Sequence, residues 1–159
     1  MDVVCTGFTG HLGQTINKFN NINFINIPKT TSRSSKTMNF NFDKNTIKDK
    51  FFIHAAWNLE SRNKKDSYDI NVKGTLDLIK RLEELDFDLT KFVFISTINA
   101  SPKSKSVYEK DKFTIEEIIL EKGGYVLKPG IIYDNKDPFS GGLLGNLYKL
   151  AKTFPILPN

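Results

Sequence analysis

Three glycines, Gly7, Gly10 and Gly13, stand three residues apart directly behind an apolar run at the start of the chain, Asp2-Val3-Val4-Cys5-Thr6. The run reads as a short buried strand. The residues that follow, with Leu12, Ile16 and Phe19 at steps of four and three, read as a helix with one apolar face. A strand, a glycine turn and a helix in that order severely limit the possible architectures. The first glycine permits a tight turn, the second lets backbone come close to a ligand, and the third lets the helix pack closely on the strand.

The rest of the chain continues the alternation. Ile22 to Ile27 reads as a second strand, ended by Pro28, and residues 29–36 as a polar loop. Met38 to Phe42 alternates apolar and polar, which suggests a third strand. Phe51 to Ala56 reads as a fourth strand running into its loop. Residues 66–85 read as a long helix with Ile70, Leu78, Ile79, Leu82 and Leu85 as core positions. Phe92 to Ile95 is a strand, residues 107–122 a helix stopped by Gly123-Gly124, Tyr125 to Leu127 a strand, and residues 145–153 a last helix. Strands that are apolar throughout, separated by helices, imply a parallel sheet covered on both faces. The expected fold is therefore a Rossmann-like, doubly wound α/β domain over residues 1–159, with no internal repeat or linker.

Charge and composition exclude several classes. The net charge of +5 invites a nucleic-acid reading, but the lysines are scattered and no aromatic-plus-basic motif or recognition helix accompanies them. No apolar stretch reaches the roughly 18 residues a membrane helix needs, and the N-terminus reads as a strand rather than a signal peptide. Cys5 is the single cysteine, a buried core thiol by its surroundings, which fits a cytoplasmic location. His11 and His54 have no Cys/His/Asp cluster around them, so no metal site is expected.

A glycine turn that opens a helix offers backbone N–H groups and a helix dipole to phosphates. The candidate contacts are Gly7, Phe8, Thr9, Gly10, His11, Leu12 and Gly13. Further motifs follow in order: Ile53-His54-Ala55-Ala56, Asn71-Val72-Lys73-Gly74-Thr75, Phe92-Val93-Phe94-Ile95-Ser96-Thr97, Tyr108 with Lys112, and Leu127-Lys128-Pro129-Gly130-Ile131-Ile132-Tyr133. Together with the three-and-three glycine spacing, this series resembles the extended short-chain dehydrogenase/reductases, the NAD-dependent epimerase/dehydratase family, over nearly the whole chain.

Tyr108 and Lys112 lie four apart on a helix and share a face. A free phenol has a pKa of about 10. A neighbouring ammonium is expected to lower that value, so that Tyr108 gives or takes a proton near neutral pH. The resemblance implies that Lys112 also holds the nicotinamide ribose and that Thr97 orients the substrate oxygen, with Ser96 as the alternative one residue away. It further implies that His54, Ala55 and Ala56 border the adenosine and ribose, that Asn71 belongs to the cofactor site, and that Pro129 and Gly130 meet the carboxamide. Asp43 resembles the aspartate that contacts adenine. Trp57 either lines the site or packs in the core. The reaction implied is hydride transfer between NAD or NADP and a carbinol or carbonyl carbon of a sugar-nucleotide-like small molecule.

Three features depart from the family pattern. Only ten residues separate Thr97 from Tyr108, as in compact reductase-like and complex-I-subunit-like branches. The second strand ends without the acidic residue that NAD enzymes commonly place on the ribose. Lys29 and Arg33 follow instead, a solvated basic loop or a cradle for a 2′-phosphate, so NADP is favoured. The chain ends near Pro155-Ile156-Leu157-Pro158, where the family's substrate-binding region begins, and it is expected to lack that region. A non-catalytic dinucleotide-binding module is the alternative function. The apolar residues within 113–120 permit a homodimer or serve only the core.

Overall fold

The computed structural model describes residues 1–16, 21–30, 39–59, 63–130, 147–150 and 152. Its centre is a five-stranded parallel sheet in the order β2-β1-β5-β6-β7. These strands are β1 (Asp2–Thr6), β2 (Asn23–Asn26), β5 (Phe51–His54), β6 (Phe92–Ile95) and β7 (Tyr125–Leu127). Helix α1 (His11–Ile16) follows the glycine turn, and α5 (Val107–Glu121) ends where Gly123 takes a positive φ of 80°. The fold is Rossmann-like, as the strand pattern implies.

Pleating sorts the strand residues onto two faces. Val4, Phe52, Phe92 and Phe94 point to one side. There they meet Leu78, Ile79 and Leu82 of α4 (Gly74–Glu84) and Ile115 and Ile119 of α5, all buried. Phe52 stacks on Phe92 with ring centres 5.5 Å apart. Val3, Ile53 and Val93 point to the other side and share an apolar depression with Ile16 of α1. Two sequence-identified core positions, Ile70 and Leu85, are only partly buried. Within residues 113–120, Ile115 and Ile119 serve the core and Leu120 is exposed.

The structure corrects two sequence expectations. The third strand shrinks to β4 (Asn39–Phe40), which pairs antiparallel with β3 (Lys29–Thr30), the start of the segment read as a polar loop. Neither joins the parallel sheet. The alternation is real, but its apolar members pack on the core instead of extending an edge: Phe42 is buried against Phe52 at 5.8 Å, and Asn41 is exposed. The long helix also begins earlier and is not uniform. It runs as α3 (Lys64–Ser67), a π-helical stretch (Tyr68–Lys73) and α4. The short helix between β4 and β5 is α2 (Lys44–Ile47). Of the last helix, residues 147–150 and 152 are helical, and the rest of 145–153 lies outside the described residues.

Candidate active site

Because all five strands are parallel, the segments that leave β1, β5, β6 and β7 emerge at one edge of the sheet. They carry the glycine turn, Ala55 to Trp57, Ser96 to Ala100, and Lys128 to Gly130.

The glycine turn is built largely by exclusion. Gly7 has φ +76°, and a Cβ there would lie 2.4 Å from Ala56 N. A Cβ on Gly13 would lie 2.4 Å from the Phe8 backbone. Packing therefore requires both glycines. Gly10 is different. It is exposed, its φ is ordinary, and a Cβ would meet only Gly7 O at 3.3 Å. Nothing in the described chain fills the space above it. That space opens into a cleft of about 400 Å³ lined by Gly7 to Gly10, Asn26 to Lys29 and Ala55 to Trp57. Among the described residues, Lys29 is the only charged side chain lining it. A phosphate-bearing dinucleotide fits this donor set: open backbone, one cation and no carboxylate. Leu12 is half-buried and does not line the cleft, His11 begins α1, and Arg33 lies outside the described residues.

His54 and Asn71 face the protein rather than the cleft. Thr6 and His54 are register partners on adjacent strands, and the Thr6 hydroxyl lies 2.7 Å from His54 Nδ1. The Thr75 hydroxyl donates to the Asn71 carbonyl at 2.7 Å. Its oxygen is then left to accept from Nε2–H at 3.1 Å, which makes Nδ1 the acceptor of the Thr6 proton. Burial first, and the Lys112 charge second, push the His54 pKa down to about 3, so the ring stays neutral. Asn71 accepts from Asn58 N at 2.7 Å and donates to Asn58 O at 2.9 Å. This two-bond clamp, set in the π-helical stretch, fixes the loop that holds Ala55 to Trp57. Asp43 caps α2, accepting from Thr46 N and Oγ1 at 2.8 Å each. Those bonds lower its pKa, and it does not line the glycine cleft.

Trp57 lines the glycine cleft and also a second one, about 300 Å³, bordered by Tyr108, Val107, Asn63 and Lys64. The indole packs on Phe94 at 6.0 Å and meets Tyr108 edge-on at 6.2 Å. It therefore both lines the site and joins the core. Lys112 is buried. Its Nζ donates to the Ile95 carbonyl at 2.6 Å and sits 3.9 Å over the Trp57 ring, but 5.9 Å from the Tyr108 ring centre. Burial brings its pKa down to about 7, with the Glu116 carboxylate opposing. The expected lowering of the Tyr108 pKa is corrected here. Burial, then Glu109, raises it, because the ammonium is turned toward Ile95 and Trp57. Tyr108 is held as a neutral phenol.

Thr97 and Ser96 part company. The Ser96 hydroxyl is buried and donates to Glu116 Oε1. Thr97, half-buried, leads the loop that runs beside Pro129, where Ile98 N donates to Pro129 O at 3.2 Å. Gly130 is exposed, and beyond its chain neighbours no atom of the described residues lies within 4 Å of a Cβ placed on it. Sequence reading missed Glu116 as a member of this group. Its buried carboxylate holds Lys128 Nζ at 2.9 Å, and the same ammonium donates to Ala100 O at 2.7 Å. Lys128 thus ties α5, the end of β7 and the Ser96–Ala100 loop together. The available signal was spacing: Tyr108, Lys112 and Glu116 fall at successive steps of four on one helix face. Among the described residues no group of His, Cys, Asp and Glu is arranged to hold a metal, and no helix is long and apolar enough to cross a membrane.

The fold recurs in solved enzymes. The Helicobacter pylori ADP-L-glycero-D-manno-heptose-6-epimerase superposes with a TM-score of 0.63 at 14% identity, over 97% of this chain and 64% of that one. A GDP-L-fucose synthetase from Naegleria fowleri gives 0.59 at 15%, over 96% and 59%. A short chain dehydrogenase family protein from Francisella tularensis gives 0.55 at 20%, over 98% and 77%. The chain shares their fold. It spans about three fifths of the length of the first two. No family model and no curated protein matches the sequence.

Proposed function

We propose that the chain is the dinucleotide-binding and catalytic part of an oxidoreductase, epimerase or dehydratase of the short-chain dehydrogenase type. The observation that carries this reading is the Trp57 ring, which walls both the open glycine cleft and the cleft of Tyr108. A dinucleotide with its phosphates over Gly10 and its other end at Trp57 reaches the phenol. A bound nicotinamide supplies the hydride donor or acceptor. The chain's own residues do the rest. Tyr108, a neutral phenol, donates its proton to the carbonyl oxygen as hydride reaches the carbonyl carbon, and the resulting phenolate takes the carbinol proton back in the oxidising direction. Thr97 orients that oxygen, and Lys112 assists when its Nζ leaves Ile95 O for the ribose. Lys29 beside the cleft favours NADP over NAD. Solved structures of the same fold named for ADP- and GDP-linked sugars support a sugar-nucleotide-like substrate.

Titration with NADPH and NADH, following nicotinamide fluorescence, tests the reading against Gly10→Asp. The φ of Gly10 suits any residue and the new Cβ meets only Gly7 O, closely, at 3.3 Å, so the variant is expected to abolish binding while lowering the thermal unfolding midpoint only slightly. No binding by the folded chain, or binding indifferent to the variant, refutes it. The inward turn of Lys112 and the raised Tyr108 pKa favour a second reading, a non-catalytic dinucleotide sensor. In that case NADPH binds but Tyr108→Phe leaves function unchanged.

A further inference from the structure

Lys64 and Val107, which border the Tyr108 cleft, also border a third open cleft of about 450 Å³. Its other walls carry Lys65, Lys105, Lys110 and one carboxylate, Asp111. The four ammonium groups are exposed, and none forms an ion pair among the described residues. Asp111 is buried, accepts the Ser67 hydroxyl at 2.7 Å, and has its pKa raised by burial.

Placement makes this more than a solvated basic face. Lys64 and Lys65 open the helix that begins at α3, and Lys110 lies in the first turn of α5. Helix N-termini carry partial positive charge and favour acidic residues. Three lysines at two such ends oppose both helix dipoles. The α5 N-cap, Ser106, makes no side-chain capping bond, so that helix end presents free N–H donors as well. Asp66 and Glu109, in the first turns of the same two helices, and Asp111 in the wall offset part of this charge, but the four lysines outnumber them and their ammonium groups remain without ion-pair partners among the described residues. Such conflicts mark places where an external ligand supplies the missing charge.

We propose that this cleft is the anion subsite of the Tyr108 site and takes the phosphate-bearing part of a small-molecule substrate. The inference rests on the functional reading above: the reacting carbon lies against Tyr108, and the phosphates extend past Lys64 into the lysine cleft. The same phosphate chemistry could go to the glycine turn, so the test separates the two.

Inorganic pyrophosphate is titrated calorimetrically at low salt into four chains: the unaltered protein, Gly10→Asp, Gly10→Asp with Lys65→Gln and Lys110→Gln, and Gly10→Asp with Lys48→Gln and Lys80→Gln. The last pair removes the same charge at exposed sites elsewhere. Binding is expected to persist in Gly10→Asp, to weaken by about tenfold or more when Lys65 and Lys110 are replaced, and to change by about twofold at most with the control pair. Loss of binding with Gly10→Asp alone, or equal losses from the two lysine pairs, overturns the subsite. NADPH binding distinguishes the two levels of inference. Lysine-dependent pyrophosphate binding without any NADPH binding leaves the anion cleft standing and removes the dehydrogenase reading.

Discussion

The ammonium of Lys112 lies 3.9 Å from the centre of the Trp57 ring. The chain has one tryptophan, so indole fluorescence reports directly on the buried lysine. A cation over an aromatic face is attracted to it by roughly 0.5–2 kcal/mol, while burial opposes the charge and brings the pKa to about 7. Selectively excited indole emission is expected to titrate with a midpoint near that value, and Lys112→Met is expected to flatten the curve. Emission that stays constant between about pH 5.5 and 8.5 would mean that the ammonium is not over the ring. The same shift has a stability consequence. A lysine depressed from 10.5 to about 7 is favoured uncharged in the folded state, so stability should rise with pH across that interval and lose the slope in Lys112→Met.

His54 gives the complementary acid limb. Its pKa falls from 6.5 to about 3 because burial disfavours the charged ring, and the Lys112 charge adds to that. The unfolded chain binds the proton more readily, so stability is full above 6.5 and declines as pH falls toward 3. The expected slope is roughly 1.4 kcal/mol per pH unit from this residue. Urea unfolding at several pH values, compared with His54→Gln, measures it. An unchanged slope in the variant would show that the exposed carboxylates alone drive acid unfolding.

The glycines separate structure from binding. Gly13→Ala forces a Cβ to 2.4 Å from the Phe8 backbone, and no side chain can move aside to relieve it. Overpacking of this kind costs about 1–3 kcal/mol or more. Gly10→Ala meets only Gly7 O at 3.3 Å and should be within about 0.5 kcal/mol of the parent. Thermal unfolding of the two variants is the check. Comparable destabilisation by Gly10→Ala would mean that Gly10, too, is a packing glycine and that its openness says nothing about a ligand.

What the sequence disclosed and what it hid follow one physical division. Apolar runs such as Phe92 to Ile95 announce a parallel strand because both faces are buried, and the glycine spacing announces the turn because sterics leave no substitute at Gly7 and Gly13. Side-chain direction is not written that way. Asp43 caps α2, a role the sequence reading did not name, because a carboxylate ahead of a helix satisfies free N–H groups wherever it stands. Lys112 shares a helix face with Tyr108, as the four-residue step requires, yet its long side chain reaches Ile95 O. The π-helical stretch at Tyr68–Lys73 carries no residue signal. It is visible only through its result, the buried Asn71 clamp on Asn58.

Glu116 and Lys128 supply the last test. Glu116 is buried and accepts from Ser96, while its second oxygen holds Lys128. Lys128 in turn donates to Ala100 O, so one carboxylate fixes both ends of the loop bearing Thr97. Glu116→Leu leaves the Lys128 ammonium without its counter-charge and the Ser96 hydroxyl without an acceptor. Breaking a fully buried pair costs about 3–5 kcal/mol. The Lys128 side chain is 36% exposed, and water screens part of that, so about 2 kcal/mol is expected. Lys128→Met in the Glu116→Leu background should restore part of the loss, since the unpaired cation is gone. A urea-unfolding double-mutant cycle reads the coupling. Additive effects within about 0.3–0.5 kcal/mol would show that the two side chains do not act as a unit and that the loop is held by backbone bonds alone.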